Sequence, residues 1–409
     1  MSGSKKTIVL ITAWYPPLQS VAVNRMLAFA KYLDAEKYQL TIITVGNDAC
    51  FGESNEDGVD IIRIKPKTGF WRPAFKSSDP KMIHYSKVAR RKLRTSIFGD
   101  HDSAWLKEAF QALEMVSTQK KIDLILSSFS PVEPHLVALK FCKKNPGTKW
   151  IVDMRDEMSL NPQTDKATQK RYAKIEKEIN IHAHALVSVS EPIVEYFKTA
   201  IPDLKYYIEV RNGFDHDLMD LPYHFNEEFT MLHAGSFYGV RKPDTLFKAM
   251  ENLHKKNELP KNWKFICAGA SRNFSIPPDF KKNVEILDRV SQTESLKLMA
   301  SADLNILIQP PTGRMGVYTG KIFDYLSVNK PILAVVDKRD VGAQLINKLK
   351  AGYVADFGDI AEIEDQIKLA IDHWKHHDEL KPEKSEIIKL HRKHQVHKLN
   401  LLIQDLLHE

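Results

Sequence analysis

Short, nearly continuous apolar runs alternate with segments of helical spacing along almost the whole chain. Strand-like runs occupy Thr7–Trp14, Gln39–Val45, Asp60–Ile64, Asp123–Phe129, Lys149–Met154 and Ala185–Ser190. Helical patterns lie at Val21–Leu33, Pro134–Lys144 and Lys166–His182. Strand, helix, strand in repetition means parallel strands joined by crossover helices. Runs such as IVLI and LTIITV are apolar at nearly every position, as strands covered on both faces require. A polar stretch after Tyr206 breaks the series, which then resumes. Strand-like runs recur at Thr230–Ala234, Lys264–Ala268, Val284–Leu287, Leu304–Ile308, Pro331–Val336 and Tyr353–Ala355. Helical patterns follow at Asp244–Lys256, Gln292–Ser301, Lys321–Ser327, Val341–Lys350 and Ile360–Trp374. The pattern predicts an α/β chain of two doubly wound halves, residues 1–205 and 206–409. A final helix, 384–408, carries a buried stripe at Leu399, Leu402, Ile403, Leu406 and Leu407, so it should dock rather than fray.

A length of 409 residues suits two domains, each with its own core. The balance of 43% hydrophobic and 27% charged residues excludes collagenous and mostly disordered classes. No run approaches the ~20 apolar residues of a membrane-spanning helix, and the start of the chain lacks the features of a secretory signal. Three widely spaced cysteines read as reduced thiols, so the expected compartment is the cytoplasm.

The net charge of +7 is concentrated. Between Ile64 and Phe98 ten basic residues face one acid, Asp79, so the remaining residues sum to about −2. A basic insertion at 64–98 reads either as a solvated helix face or as a patch for anionic lipid headgroups or an anionic acceptor. It lacks the interleaved aromatic platform and the zinc-finger spacing of nucleic-acid binders, and no nucleic-acid partner is expected.

In parallel sheets ligands bind beyond the carboxyl ends of the strands. After Leu304–Ile308 comes a loop with Gly313 and Gly316, and a helix starts near Thr319. Free N–H groups and the positive end of the helix dipole make Thr319, Gly320 and Lys321 a phosphate cradle. Asp324, one turn on, can accept from two sugar hydroxyls. After Thr230–Ala234 come Gly235 and Ser236, then the cations Arg241 and Lys242, with Asp244 as a helix cap. Two cations above strand ends can neutralise a diphosphate. Asp100-His101-Asp102 and Asp215-His216-Asp217 sit outside the predicted diphosphate loops, and His373, His376 and His377 read as the solvated face of a helix, so no metal is expected.

The motifs AWYPP (13–17) with Asn24-Arg25, DMRDE (153–157), VSVSE (187–191), RNGFD (211–215), HAGSF (233–237) with RKP (241–243), ASADLNILI (300–308) and TGKIFDYLSVNKPIL (319–333) resemble glycosyltransferase family 4. They follow the family's order over nearly the full length. The resemblance is to the bacterial branch that builds capsule, O-antigen or exopolysaccharide. It implies a GT-B fold, two Rossmann-like domains facing a cleft. It also implies sugar transfer with retention, without a metal or other cofactor, from a uridine- or guanosine-diphosphate sugar to a lipid-linked or polysaccharide acceptor. The expected setting is the cytoplasm, with the basic stretch at 64–98 as the contact to the inner face of the membrane. Carried onto this chain, Arg241, Lys242 and Lys321 would hold and stabilise the diphosphate. Gly235, Ser236, Tyr318, Thr319, Gly320 and Asp324 would bind the donor, with Asp324 at the family's ribose-binding acid and Arg289-Val290 at the loop that holds the base. Pro17, Ser20, Asn24 and Arg25 would cover the diphosphate and meet the acceptor, which Asp156 or Glu157 would orient.

The sequence departs from the family at three places. Where many members carry a first glutamate, eight positions before the ribose-binding acid, this chain has Gly316. The amino-terminal loop PPLQSVAVNR contains no glycine. No histidine directly follows Asp123–Phe129; His135 comes later and reads as a satisfied surface residue on a helix. Two other readings stay open beside the transferase: a GT-B epimerase, and a non-catalytic subunit that binds nucleotide sugar or glycan.

Overall fold

The computed structural model describes residues 5–66, 103–219, 224–237, 239–269 and 273–408. The basic stretch expected to meet an anionic surface, from residue 67 onward, and Asp100-His101-Asp102 lie outside the described residues. The chain divides into two compact units, one of Met1–Arg211 with Arg392–Glu409, the other of Asn212–His391.

The first unit is built on β1 (Lys6–Ile11), β2 (Tyr38–Val45), β3 (Gly52–Glu56), β4 (Val59–Ile64), β5 (Leu124–Phe129), β6 (Lys149–Met154), β7 (Ala185–Ser188) and β8 (Tyr206–Glu209). They form one sheet in the order β3-β4-β2-β1-β5-β6-β7-β8. Every pairing is parallel except the β3–β4 hairpin. Among the described residues it is accompanied by α1 (Val21–Tyr32), α2 (Ser103–Gln119), α3 (Glu133–Lys144), α4 (Lys166–His182) and α5 (Glu191–Ala200), and by a helix near the end of the chain given below. Residues on both faces of the sheet are buried, which explains the unbroken apolar runs. β3 was not expected from the sequence, because GESNE is wholly exposed and carries no apolar alternation. Its local signal is the turn Asp57-Gly58, both at positive φ.

The second unit holds β9 (Phe229–Ala234), β10 (Trp263–Ala268), β11 (Val284–Leu287), β12 (Leu304–Gln309), β13 (Ile332–Val336) and β14 (Gly352–Asp356). All are parallel, in the order β11-β10-β9-β12-β13-β14. The connecting helices are α6 (Asp244–Lys255), α7 (Gln292–Ser301), α8 (Gly320–Ser327), α9 (Val341–Leu349) and α10 (Ile360–His376), followed by the short α11 (Lys384–Ile388). Counted from β9, this is the doubly wound order whose chain reverses direction between its first and fourth strands. That switch point lies between β9 and β12, and the two loops singled out in the sequence leave these strands.

The boundary expected at 205/206 falls at 211/212 instead. β8 pairs with β7, Ala185 opposite Tyr206, so residues 206–209 complete the first sheet. The expected single helix 384–408 is two helices, α11 and α12 (Arg392–His408). The reason is divided burial. Ile387 and Leu390 pack into the second unit's core, whereas Val396, Leu399, Leu402, Ile403 and Leu406 pack with Ile8, Leu10, Met26 and Phe29 of the first. One straight helix cannot serve both cores.

Candidate nucleotide-sugar site

The second unit carries an open cavity of about 490 Å³ at the carboxyl ends of its strands. That size suits a small-molecule ligand. Five of the residues expected to bind a donor line it: Gly235, Ser236, Arg289, Val290 and Asp324. Ser291 and Gln292 continue the wall at the start of α7, where Ser291 and Glu294 form a reciprocal cap.

Helix α8 is fixed at this cavity by Tyr325, a fully buried side chain. Its hydroxyl accepts from Ala234 N at 2.9 Å and donates to Ile306 O at 3.2 Å, tying the helix to both switch-point strands. The helix is amphipathic: Ile322, Phe323, Tyr325 and Leu326 face the core. Lys321 and Asp324, three positions apart, share another face. Thr319 occupies the N-cap position, but its side chain makes no cap bond, and its Oγ1 is buried without a hydrogen-bond partner among the described residues.

Lys321 lies across Gly235. A Cβ built on that glycine would sit 2.6 Å from Lys321 Nζ, and the glycine has φ +111°. Only glycine lets the ammonium approach the backbone so closely. Nζ donates to His233 Nε2 at 3.3 Å. His233 is completely buried, stacked on Phe237 with ring centroids 4.2 Å apart, and its Nδ1 donates to Ile306 O at 3.0 Å. Burial, reinforced by Arg241, pushes the Lys321 amine down to about 8. Burial, with the Lys321 charge next, drives the His233 imidazole well below its ordinary value, so the ring is neutral. Among the described residues no carboxylate pairs with Lys321.

Arg241 therefore stands near enough to Lys321 for its charge to act on the amine. Lys242 is half-buried in the bend before α6 and is absent from the cavity wall. Asp244 is the first residue of α6; Pro243 takes the cap position, with no side-chain cap bond. Tyr318 is half-buried and packs on Phe323 at 5.4 Å, outside the cavity wall. Gly316 is buried at φ +86°, and its N–H donates to Asp340 Oδ1 at 2.7 Å. Asp340 also accepts from Val341 N at 2.8 Å, so one carboxylate anchors the glycine loop and caps α9. Sequence reasoning missed His233, Tyr325 and Asp340. For His233 the available signal was the strand-end position of HAGSF.

The acceptor-side residues belong to the first unit. Pro17 and Asn24 are exposed, and Ser20 caps α1 by accepting from Val23 N at 3.2 Å. Arg25 departs from its expected role. It is 2% exposed and holds Asp153 through Nε at 3.1 Å and Nη2 at 2.7 Å, while Nη1 donates to Val210 O at 2.6 Å. Its guanidinium is thus committed to a buried ion pair that joins α1, β6 and the chain beyond β8. Asp156 and Glu157 are half-buried just after β6. Neighbouring Arg155 donates to Phe129 O at 2.7 Å and Ser130 O at 2.6 Å. His135 is on a helix, α3, but is a core residue rather than a surface one. Ser127 Oγ donates to its Nδ1 at 2.7 Å, and its Nε2 donates to Met154 Sδ at 3.3 Å. Burial drives its pKa down to about 3.

His216 Nε2 bonds Ser327 Oγ at 2.7 Å, His373 shares a hydrogen with Tyr353 OH at 2.6 Å, and His377 stacks on Phe225. Among the described residues no group of three His, Cys, Asp or Glu side chains is placed to hold a metal ion.

No family model matches the chain, and no curated protein matches it in sequence. Solved structures do match over nearly its whole length. A sucrose-phosphate synthase from Thermosynechococcus elongatus superposes with a TM-score of 0.65 at 13% identity, covering 98% of this chain and 99% of its own. A UDP-forming trehalose-phosphate synthase from Burkholderia xenovorans, in complex with glucose-6-phosphate, gives 0.61 at 9% identity, with 98% and 99% covered. The catalytic domain of starch synthase IV from Arabidopsis thaliana, bound to ADP and acarbose, gives 0.58 at 11% identity, with 99% of each covered. The chain has the GT-B fold. In this GT-B chain the cavity, the lysine and the glycine loops all belong to the carboxyl-side unit.

Proposed function

We propose that the chain is a retaining glycosyltransferase that takes a sugar from a nucleoside-diphosphate sugar bound in the second unit. One observation carries this reading. Lys321 is half-buried near Arg241, pairs with no carboxylate among the described residues, and lies at the start of a helix across Gly235, a residue in the wall of a ligand-sized cavity. An ammonium at a helix start whose side-chain partner is a neutral imidazole fits an anion supplied by a ligand. Asp324 stands on the same helix face, suited to accept from vicinal ribose hydroxyls. The likeness to UDP-forming and ADP-bound GT-B structures supports the same donor class.

Catalysis then rests on the leaving group. As the glycosidic bond breaks, negative charge grows on the diphosphate, and fixed cations plus helix amides bind that state more tightly than the ground state. The acceptor hydroxyl attacks from the face the diphosphate leaves, and the departing phosphate takes its proton. The positive charge for this step comes from Lys321, Arg241 and α8 rather than from a metal. The finer reading is a lipid-linked or polysaccharide acceptor in cell-surface glycan synthesis. It draws support from the family resemblance and from the basic stretch at 64–98, which suits an anionic membrane surface. The three cysteines are free thiols, consistent with a cytoplasmic setting, and no helix among the described residues is long and apolar enough to cross a membrane.

A second reading, a subunit that binds nucleotide sugar without turnover, has one observation in its favour. Gly316 offers no side chain to the transferred sugar, and its N–H is committed to Asp340. Incubation with UDP- and GDP-sugars in the absence of acceptor separates the two. The transferase reading expects slow release of free sugar with retained anomeric configuration, followed by NMR. Tight binding with no release supports the binding subunit and contradicts the transferase.

A further inference from the structure

Lys321 is anchored in an unusual way. A partly buried lysine is commonly held by a carboxylate, which would offset the charge a phosphate-binding group needs. Here the anchor is an imidazole. The carbonyl of Ile306 can only accept, so Nδ1 of His233 must carry the proton and Nε2 must present a lone pair. The Nε2 lone pair accepts from Lys321 at 3.3 Å. The parallel stack on Phe237 fixes the ring plane, and complete burial shields it. Two cations set the local charge: Lys321 itself and Arg241 from the loop before α6. The two cations and the burial keep the imidazole neutral. An ammonium has three donors, so one goes to His233 and two remain for ligand oxygens.

We propose that His233 is a positioning residue that holds the Lys321 ammonium over Gly235 as a neutral acceptor, leaving its whole charge for the diphosphate of the donor. This rests on the nucleotide-sugar reading for the identity of the anion, but the pairing itself is independent of it. Because free Lys321 titrates near 8, binding of a diphosphate above that pH draws a proton onto the amine, and affinity declines toward alkaline pH.

The test uses the full chain and three variants, His233→Gln, His233→Glu and His233→Phe, with folding checked by circular dichroism. NMR titration of the lysine side chains, with Lys321→Met to assign the signal, reads the pairing directly. Gln keeps a neutral acceptor, so the Lys321 titration should stay near that of the wild type. Phe removes the acceptor and should lower it, while Glu should raise it. Calorimetry with UDP at pH 7 reads the charge-sparing role. His233→Gln should bind within about threefold of wild type, and His233→Phe and His233→Glu about tenfold or more weaker. Equal affinity of the Gln and Glu variants overturns the role, as does an unchanged Lys321 titration in a folded His233→Phe; the Gln–Glu comparison stands even where the Phe variant does not fold. Should the wild type bind none of UDP, GDP, ADP or pyrophosphate, the nucleotide reading fails, and the NMR titration still decides the pairing.

Discussion

Gly235 is where backbone and cation come closest. At φ +111°, with Lys321 Nζ within 2.6 Å of any added Cβ, Gly235→Ala must push the lysine away from His233. The expected outcome is loss of nucleoside-diphosphate affinity by about tenfold or more, read by calorimetry, with an unchanged circular dichroism spectrum. A second prediction concerns acid. Folded His135 takes up a proton only near pH 3, whereas the imidazole of an unfolded chain does so near 6.5. Between these values the unfolded state holds more protons, so stability falls as pH drops through 6.5. In urea titrations, His135→Gln should remove up to about 1.4 kcal/mol per pH unit from that slope; an identical slope would contradict it. Lys321, Arg241 and Asp324 were legible in the sequence because charge and glycine cluster around a strand end and a helix start. His233 was not. Its ring is oriented by Phe237, four residues on in the same motif, and by Ile306, 73 residues away, a contact that nothing local announces. Arg25 was misjudged for the same reason: its partner, Asp153, lies 128 residues on.

Among the elements, the buried parallel strands were readable because both faces are covered and the apolar runs are unbroken. α2 and α5 have no counterpart among the helical patterns singled out in the sequence, although their buried faces are regular: Trp105, Ala109, Phe110, Ala112, Leu113 and Val116 in α2, and Ile193, Val194 and Phe197 in α5. The break between α11 and α12 was invisible, because it depends on which core receives each side chain. α12 also yields a prediction. Its five apolar residues Val396, Leu399, Leu402, Ile403 and Leu406 each contribute about 1.5–3 kcal/mol to the first unit, against a typical total of about 5–15 kcal/mol. A chain ending at residue 391 should therefore lose amide-exchange protection in β1 and β2 while β9 and β12 keep theirs. Persistent protection of β1 would contradict the assignment of α12 to that core.

At the scale of the whole chain, one mixed and one parallel sheet share one polypeptide, which leaves the first unit at residue 211 and returns to it at 392. The overall architecture was legible from alternation alone. The division was not, because β8 and α12 are claimed by the first sheet through pairing and packing rather than by sequence position. The central claim sits in the second unit: Lys321, half-buried and held by a neutral imidazole, is proposed to receive the diphosphate of a nucleotide. Calorimetry of UDP, GDP and ADP against wild type and Lys321→Met at pH 7 tests it most directly. The account predicts measurable binding of at least one nucleotide to the wild type and a loss of about tenfold or more in the variant; equal affinity of the two proteins, or binding by neither, would contradict it.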